Sequence, residues 1–147
     1  MTARTVRATT PEKPVRVVVA DDVLEWRIRI RSILQQRPEW QVVGEACNGL
    51  EAVQMAAELR PEMVLLDLGM PILNGIQAAR RIRQESPRSR IVFVTQQNDA
   101  DIRGAALATG AVGYLLKADA QSQLLPAVEA AGGRAESGRA ACGRALV

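Results

Sequence analysis

Between Val15 and Ala131 the chain alternates without interruption between short β-branched apolar runs and longer stretches with helical spacing. Val15–Ala20 reads as a buried strand, and Val23–Gln36 as a helix with apolar side chains at Val23, Trp26, Ile30, Ile33 and Leu34. The pattern repeats as strand Gln41–Cys47 and helix Leu50–Leu59, then as strand Glu62–Asp67 and helix Ile76–Glu85. Strand Arg90–Thr95 and helix Asp99–Thr109 follow, stopped by Gly110; strand Val112–Leu116 and helix Asp119–Ala131 complete the series. A short strand that is apolar throughout must be covered on both faces. Strict alternation therefore predicts βαβ units, a parallel sheet and, through right-handed crossovers, helices on both sides. The expected fold class is α/β, a doubly wound (βα)5 sandwich. Its functional crevice lies outside the C-terminal ends of the strands.

Composition narrows the chemistry. A chain of 147 residues, 48% apolar, can bury the core of one domain, and with only 3% aromatic residues that core is aliphatic. No apolar run approaches the roughly 20 residues of a membrane span, and the polar, basic N-terminus lacks the apolar block of a secretory signal. A net charge of +3 is too small to argue for nucleic acid. Cys47 and Cys142 lie far apart and nothing demands a disulfide, so a reduced, cytoplasmic setting is the expectation. The chain has no histidine, which excludes a histidine base, zinc ligand or phosphocarrier of its own. Residues 1–14 read as a flexible tail. Residues 132–147 repeat Gly-Arg-Ala at Gly133, Gly138 and Gly143 and read as a low-complexity tail.

Five side chains stand at strand ends: Asp21 and Asp22 after the first strand, Asp67 at the end of the third, Thr95 of the fourth and Lys117 of the fifth. The doubly wound topology brings these ends to one edge. Gly69 reads as a point of close backbone approach, and Pro71 with Asn74-Gly75 as the turn into the next helix. Three crowded carboxylates raise one another's pKa unless a cation intervenes, and a hard divalent ion such as Mg²⁺ takes oxygen ligands of this kind. Beside such an ion, Asp67 can be a carboxylate nucleophile toward phosphorus, with Lys117 and Thr95 neutralising the moving charge. Each residue alone has a plain reading: an acidic pair is most often a helix cap, Thr95 a β-former, Lys117 a solvated strand terminus. Their joint order at the ends of strands one, three, four and five favours the site.

"VVVADD" (residues 17–22), "VLLDLGMPILNG" (64–75), "FVT" (93–95) and "GAVGYLLK" (110–117) together resemble the response-regulator receiver domain, the CheY-like family of two-component signalling. "VVGEACNGLEAV" (42–53) adds to the likeness, which covers residues 15–131 and is closest to the subgroup that usually carries a helix-turn-helix output domain. The resemblance implies a flavodoxin-like sheet in the order 2-1-3-4-5. It implies that Asp67 accepts a phosphoryl group from a phosphohistidine of a sensor histidine kinase. Asp22 and the Gly69 carbonyl would ligate Mg²⁺ together with Asp67, and Asp21 would assist through water. Lys117 would pair with the phosphate, Thr95 would turn inward to it, and Tyr114 would be the aromatic switch. The face from fourth helix through fifth strand to fifth helix would bind a downstream target or a second copy; it carries Ile102, Ala105, Ala106, Leu107, Leu124, Leu125 and Val128. No output domain, and hence no direct DNA binding, is expected after residue 131. A stand-alone receiver or a truncated transcription regulator both fit that expectation.

Several features depart from the family or resist it. Gln96 and Gln97 follow the switch threonine, where a small residue is common, and Ala118 follows Lys117 where proline is frequent. The glutamines motivate a rival reading, a receiver-like binding module regulated without phosphate. A haloacid-dehalogenase-type hydrolase would want a second acid two residues after Asp67, where Gly69 stands. Pro126 sits awkwardly in helix Asp119–Ala131 unless it lies in the first turn, which would start that helix later. Trp26 reads as core, and Arg27, Arg29 and Arg31 as a solvated face.

Overall fold

The structure is a computed structural model that describes residues 14–132. The readings of both tails, and Cys142, lie outside the described residues. Five strands alternate with five helices: β1 Val15–Ala20, α1 Leu24–Leu34, β2 Trp40–Ala46, α2 Gly49–Leu59, β3 Met63–Leu66, α3 Gly75–Glu85, β4 Arg90–Thr95, α4 Ala100–Leu107, β5 Gly113–Leu116 and α5 Ala120–Gly132. All strand pairings are parallel and the order is β2-β1-β3-β4-β5. This is the flavodoxin-like arrangement expected. β1 and β4 run over the residues the apolar pattern marks, and the other boundaries shift by one or two.

The sheet divides the core by parity, because successive side chains on a strand point to opposite faces. Val17 and Val19 of β1 pack with Ile30, Ile33 and Leu34 of α1 and Leu124 and Val128 of α5. Val18 and Ala20 pack on the other face with Ala52, Val53, Ala78, Ile82 and Ala106 from α2, α3 and α4. Phe93, Ile82 and Leu124 are fully buried, and each contributes roughly 1.5–3 kcal/mol of transfer free energy. α4 is the loosest element: Ala106 is its one buried side chain, Ile102 is half-buried, and Ala105 and Leu107 face solvent. On α5, Leu124 and Val128 are core and Leu125 is half-buried.

Three local readings are corrected. Pro126 is not in the first turn but is the seventh residue of α5. It lacks the N–H that would bond back to the preceding turn, and the helix continues because Leu124, Val128 and Ala131 are held on the sheet. Asn74 is a helix cap rather than the bend of a turn. Its Oδ1 accepts the Gln77 N–H at 2.9 Å while Gln77 Oε1 accepts the Asn74 N–H at 2.9 Å, a reciprocal capping box. Arg27 and Arg31 are not a free solvated face: both pair with Glu45 on β2, and Arg27 also donates to the Asp21 carbonyl at 2.7 Å.

The turn after Pro71 is made by Ile72, at φ 72° and 68% exposed. A β-branched residue in the left-handed region is strained. Ile72→Gly removes that strain and gives up little burial. It is expected to raise stability by about 1 kcal/mol, read as a higher urea midpoint with unchanged slope.

Candidate functional site

The C-terminal strand ends meet as the topology requires. β1 and β3 lie side by side, with Ala20 opposite Leu66, and the ladder extends one step further as the Asp67 N–H donates to the Ala20 carbonyl at 3.0 Å. Asp67 therefore leaves the sheet directly beside Asp21. β4 and β5 bring up Thr95 opposite Leu116, and the next residue is Lys117. Asp22, Val23, Trp26, Asp67, Gly69, Thr95, Gln96, Gln97 and Lys117 line one cleft of about 350 Å³.

Its chemistry is set by four ionisable groups. One oxygen from each of Asp21, Asp22 and Asp67 lies within 4.8 Å of the others. Asp21, Asp67 and Lys117 are buried, and Asp22 is exposed. The Lys117 ammonium sits 2.7 Å from Asp21 Oδ2 and 3.4 Å from Asp67 Oδ2. It is thus no solvated terminus. The two carboxylates are otherwise held differently. Asp67 Oδ1 accepts the Leu68 N–H at 2.8 Å, and Asp21 Oδ1 accepts the Val23 N–H at 2.9 Å. Asp21 Oδ2 is buried, and the Lys117 ammonium at 2.7 Å is its partner. Three converging carboxylates against a single ammonium are a donor set that fits a hard divalent cation.

Burial raises the Asp21 pKa above the ordinary carboxylate value. Lys117 and the Val23 N–H oppose that effect, and the Asp67 charge adds to it. The folded chain therefore holds this proton more tightly than the unfolded chain. The stability it contributes is full below the ordinary value and is lost as pH rises through the raised one. Asp21→Asn keeps the shape without the ionisation. In thermal melts without divalent metal, the stability difference between this variant and the parent should move in the variant's favour as pH climbs from about 4 toward neutrality. A difference constant over that range contradicts burial as the main cause.

Thr95 and Tyr114 meet at one peptide. Thr95 Oγ1 accepts the Gln97 N–H at 3.3 Å, and the Tyr114 hydroxyl donates to the Gln97 carbonyl at 2.9 Å. Thr95 is buried and Tyr114 half-buried, with Arg103 4.9 Å from the Tyr114 ring centroid. Burial pushes the Tyr114 phenol pKa up. The Gln96 and Gln97 side chains are exposed at the mouth of the cleft.

Two sequence readings change here. Gly69 is not a point of close approach within the chain: a Cβ there would meet nothing within 4 Å. The glycine crowded against Asp67 is Gly75, where a Cβ would fall 2.1 Å from the Asp67 carbonyl oxygen. Trp26 packs against the core, yet it is half-exposed and walls the cleft. The signal was its place one helical turn after Asp22, which aims α1 at the strand ends.

Residues 17–129 match the family described as the response regulator receiver domain. The chain is 36% identical over 120 residues to the nitrate/nitrite response regulator protein NarL of Escherichia coli, an alignment covering 82% of this chain and 56% of that protein. It thus spans just over half of that relative's length. The response regulator domain of Thermotoga maritima CheB superposes with a TM-score of 0.77 at 32% identity, over 84% of this chain and 99% of that one. A two-component response regulator of the LuxR family from an Aurantimonas species gives a TM-score of 0.78 at 32% identity, over 83% and 87%. Sheet order, the converged strand ends and these likenesses agree, and the chain belongs to the response-regulator receiver domains of two-component systems.

Proposed function

We propose that this chain is a phosphoryl-operated switch whose acceptor is Asp67. The observation that carries the reading is the convergence of Asp21, Asp22 and Asp67 around a cleft closed by the Lys117 ammonium. Asp22, Asp67 and the Gly69 carbonyl would hold Mg²⁺, with Asp21 assisting through water. The ion, when bound, supplies charge neutralisation for an incoming phosphoryl group.

The chain's own residues do the rest. An Asp67 carboxylate oxygen forms the new bond to phosphorus as the bond from phosphorus to the donor's imidazole nitrogen breaks. The imidazole, carrying a proton on its other ring nitrogen, takes the bonding pair and leaves neutral. With no histidine in the chain, that imidazole belongs to a partner, a sensor histidine kinase. The phosphoryl group adds about −1.5 to −2 charges. Lys117 turns from Asp21 toward those oxygens, and Thr95 gives up the Gln97 N–H to donate its hydroxyl. Because Tyr114 holds the same peptide, the change reaches β5 and α4, which is lightly anchored. The face of α4, β5 and α5 then presents itself differently to a downstream protein or a second copy. The chain acts as a consumed acceptor rather than a turnover enzyme, in the cytoplasm. No helix among the described residues is long and apolar enough to cross a membrane.

Incubation with acetyl phosphate and Mg²⁺ tests this. Intact mass should show one added phosphoryl group, abolished by chelation. Gln96 and Gln97 at the cleft mouth favour a second reading, binding without phosphate. Absence of any label, where a control receiver is labelled, would select it.

A further inference from the structure

The Lys117 ammonium has a third neighbour besides its two carboxylates. The Trp26 ring centroid is 5.0 Å from Lys117 Nζ, with the ammonium over the ring. The Lys117 side chain is only 5% exposed, so this cation–π contact is desolvated, the condition under which such contacts are strongest. The indole is itself anchored. It packs against the core cluster of α1 and α5, and the Arg29 guanidinium carbon lies 5.1 Å from its centroid. A lysine ammonium has three donors. Two carboxylates on one side and an electron-rich ring on another leave it little freedom to swing toward solvent.

The geometry points to Trp26 as a positioning residue for this site. Its ring face caps Lys117 and keeps the ammonium between Asp21 and Asp67, and its edge closes the α1 wall of the cleft against water. This deepens the proposed function and rests on it for the phosphate consequence alone. A core tryptophan with no such role would affect stability and leave Lys117 where it is. Removing the ring while keeping apolar bulk, as in Trp26→Leu, should loosen the ammonium and admit water to an aspartyl phosphate.

The chain's two lysines, Lys13 and Lys117, make the contact directly observable. In lysine-labelled protein, Lys117 Hε protons are expected upfield of those of Lys13 through the ring current, assigned by their loss in Lys117→Arg. In Trp26→Leu they should move downfield, toward the position of a lysine free of any ring current. In Trp26→Phe, which keeps a weaker face, they should move part of the way. After labelling with acetyl phosphate and Mg²⁺, the phosphate half-life should shorten about threefold or more in Trp26→Leu and recover largely in Trp26→Phe. A Lys117 resonance unmoved in a folded Trp26→Leu overturns the assignment. If that variant does not fold, an unmoved resonance in Trp26→Phe does so. Failure of the parent to take up phosphate would strike the acceptor reading instead, and the resonance would still decide for or against Trp26.

Discussion

Asp67→Asn is expected to take up no phosphoryl group from acetyl phosphate and Mg²⁺ under conditions that label the parent chain. Of the three carboxylates gathered there, Asp67 is the one at the end of β3, beside Thr95 and Lys117 in the cleft lining, and the proposed reading puts Asp21 and Asp22 on the metal. Thr95 is buried with its oxygen on the Gln97 N–H, and Lys117 is a protonated ammonium between two carboxylates. An amide has the shape of the carboxylate without its nucleophilic charge. The side-chain oxygen of asparagine can still accept the Leu68 N–H that Asp67 Oδ1 accepts, so the local backbone has no reason to move. Removing one of three crowded carboxylates also relieves repulsion, and the melting temperature without metal should be equal or higher. Intact mass and a thermal melt on the same sample separate the two effects. A folded Asp67→Asn that labels as the parent does would mean that phosphate goes elsewhere, and the functional reading would fall with it.

A large effect on stability is expected from Gly75→Ala. A Cβ at this position would lie 2.1 Å from the Asp67 carbonyl oxygen, 2.8 Å from Leu68 Cα and 2.9 Å from the Asp67 carbonyl carbon. All three are backbone atoms, so no rotamer change relieves the clash. Neither partner can retreat cheaply. The Asp67 N–H is tied to Ala20 on β1, and the Gly75 N–H is tied to the Leu68 carbonyl at 2.8 Å. Shifting α3 outward would instead open the buried face of Ala78, Ala79 and Ile82. The cost is expected to be about 3 kcal/mol or more, seen as a large drop in the urea midpoint or as failure to fold. A midpoint within experimental scatter of the parent would show that this crossing is looser than the geometry indicates. Any folded fraction should label poorly, because the same clash displaces Asp67. The position that secures Asp67 is thus a helix-start glycine eight residues away in sequence.

The order of strands and helices was legible because each element advertises itself locally. Val17, Val18 and Val19 are apolar in succession, which suits a strand covered on both faces and nothing at a surface. Asp21, Asp22, Asp67, Thr95 and Lys117 could be singled out because each follows such a run, and parallel topology sends every run's end to one edge. Elements without a strong local signature were read less well. Pro126 looked like a helix start, since nothing nearby in sequence reveals how firmly Leu124 and Val128 are held. Gly69 looked like the tight spot after Asp67, when α3 actually crosses at Gly75.

From its sequence alone this protein's layered fold, the edge where its strand ends meet and the identity of the side chains gathered there could be worked out, because periodicity and strand ends are properties of short segments. Tertiary structure alone decided that Asp21 is buried while Asp22 is exposed, that Lys117 lies closer to Asp21 than to Asp67, that Arg27 and Arg31 converge on Glu45, and that Trp26 faces the ammonium. Those facts depend on distances between atoms from segments far apart in the chain. Burial, ion pairing and ring contacts fall off over a few ångströms, a scale that spacing along the sequence does not specify.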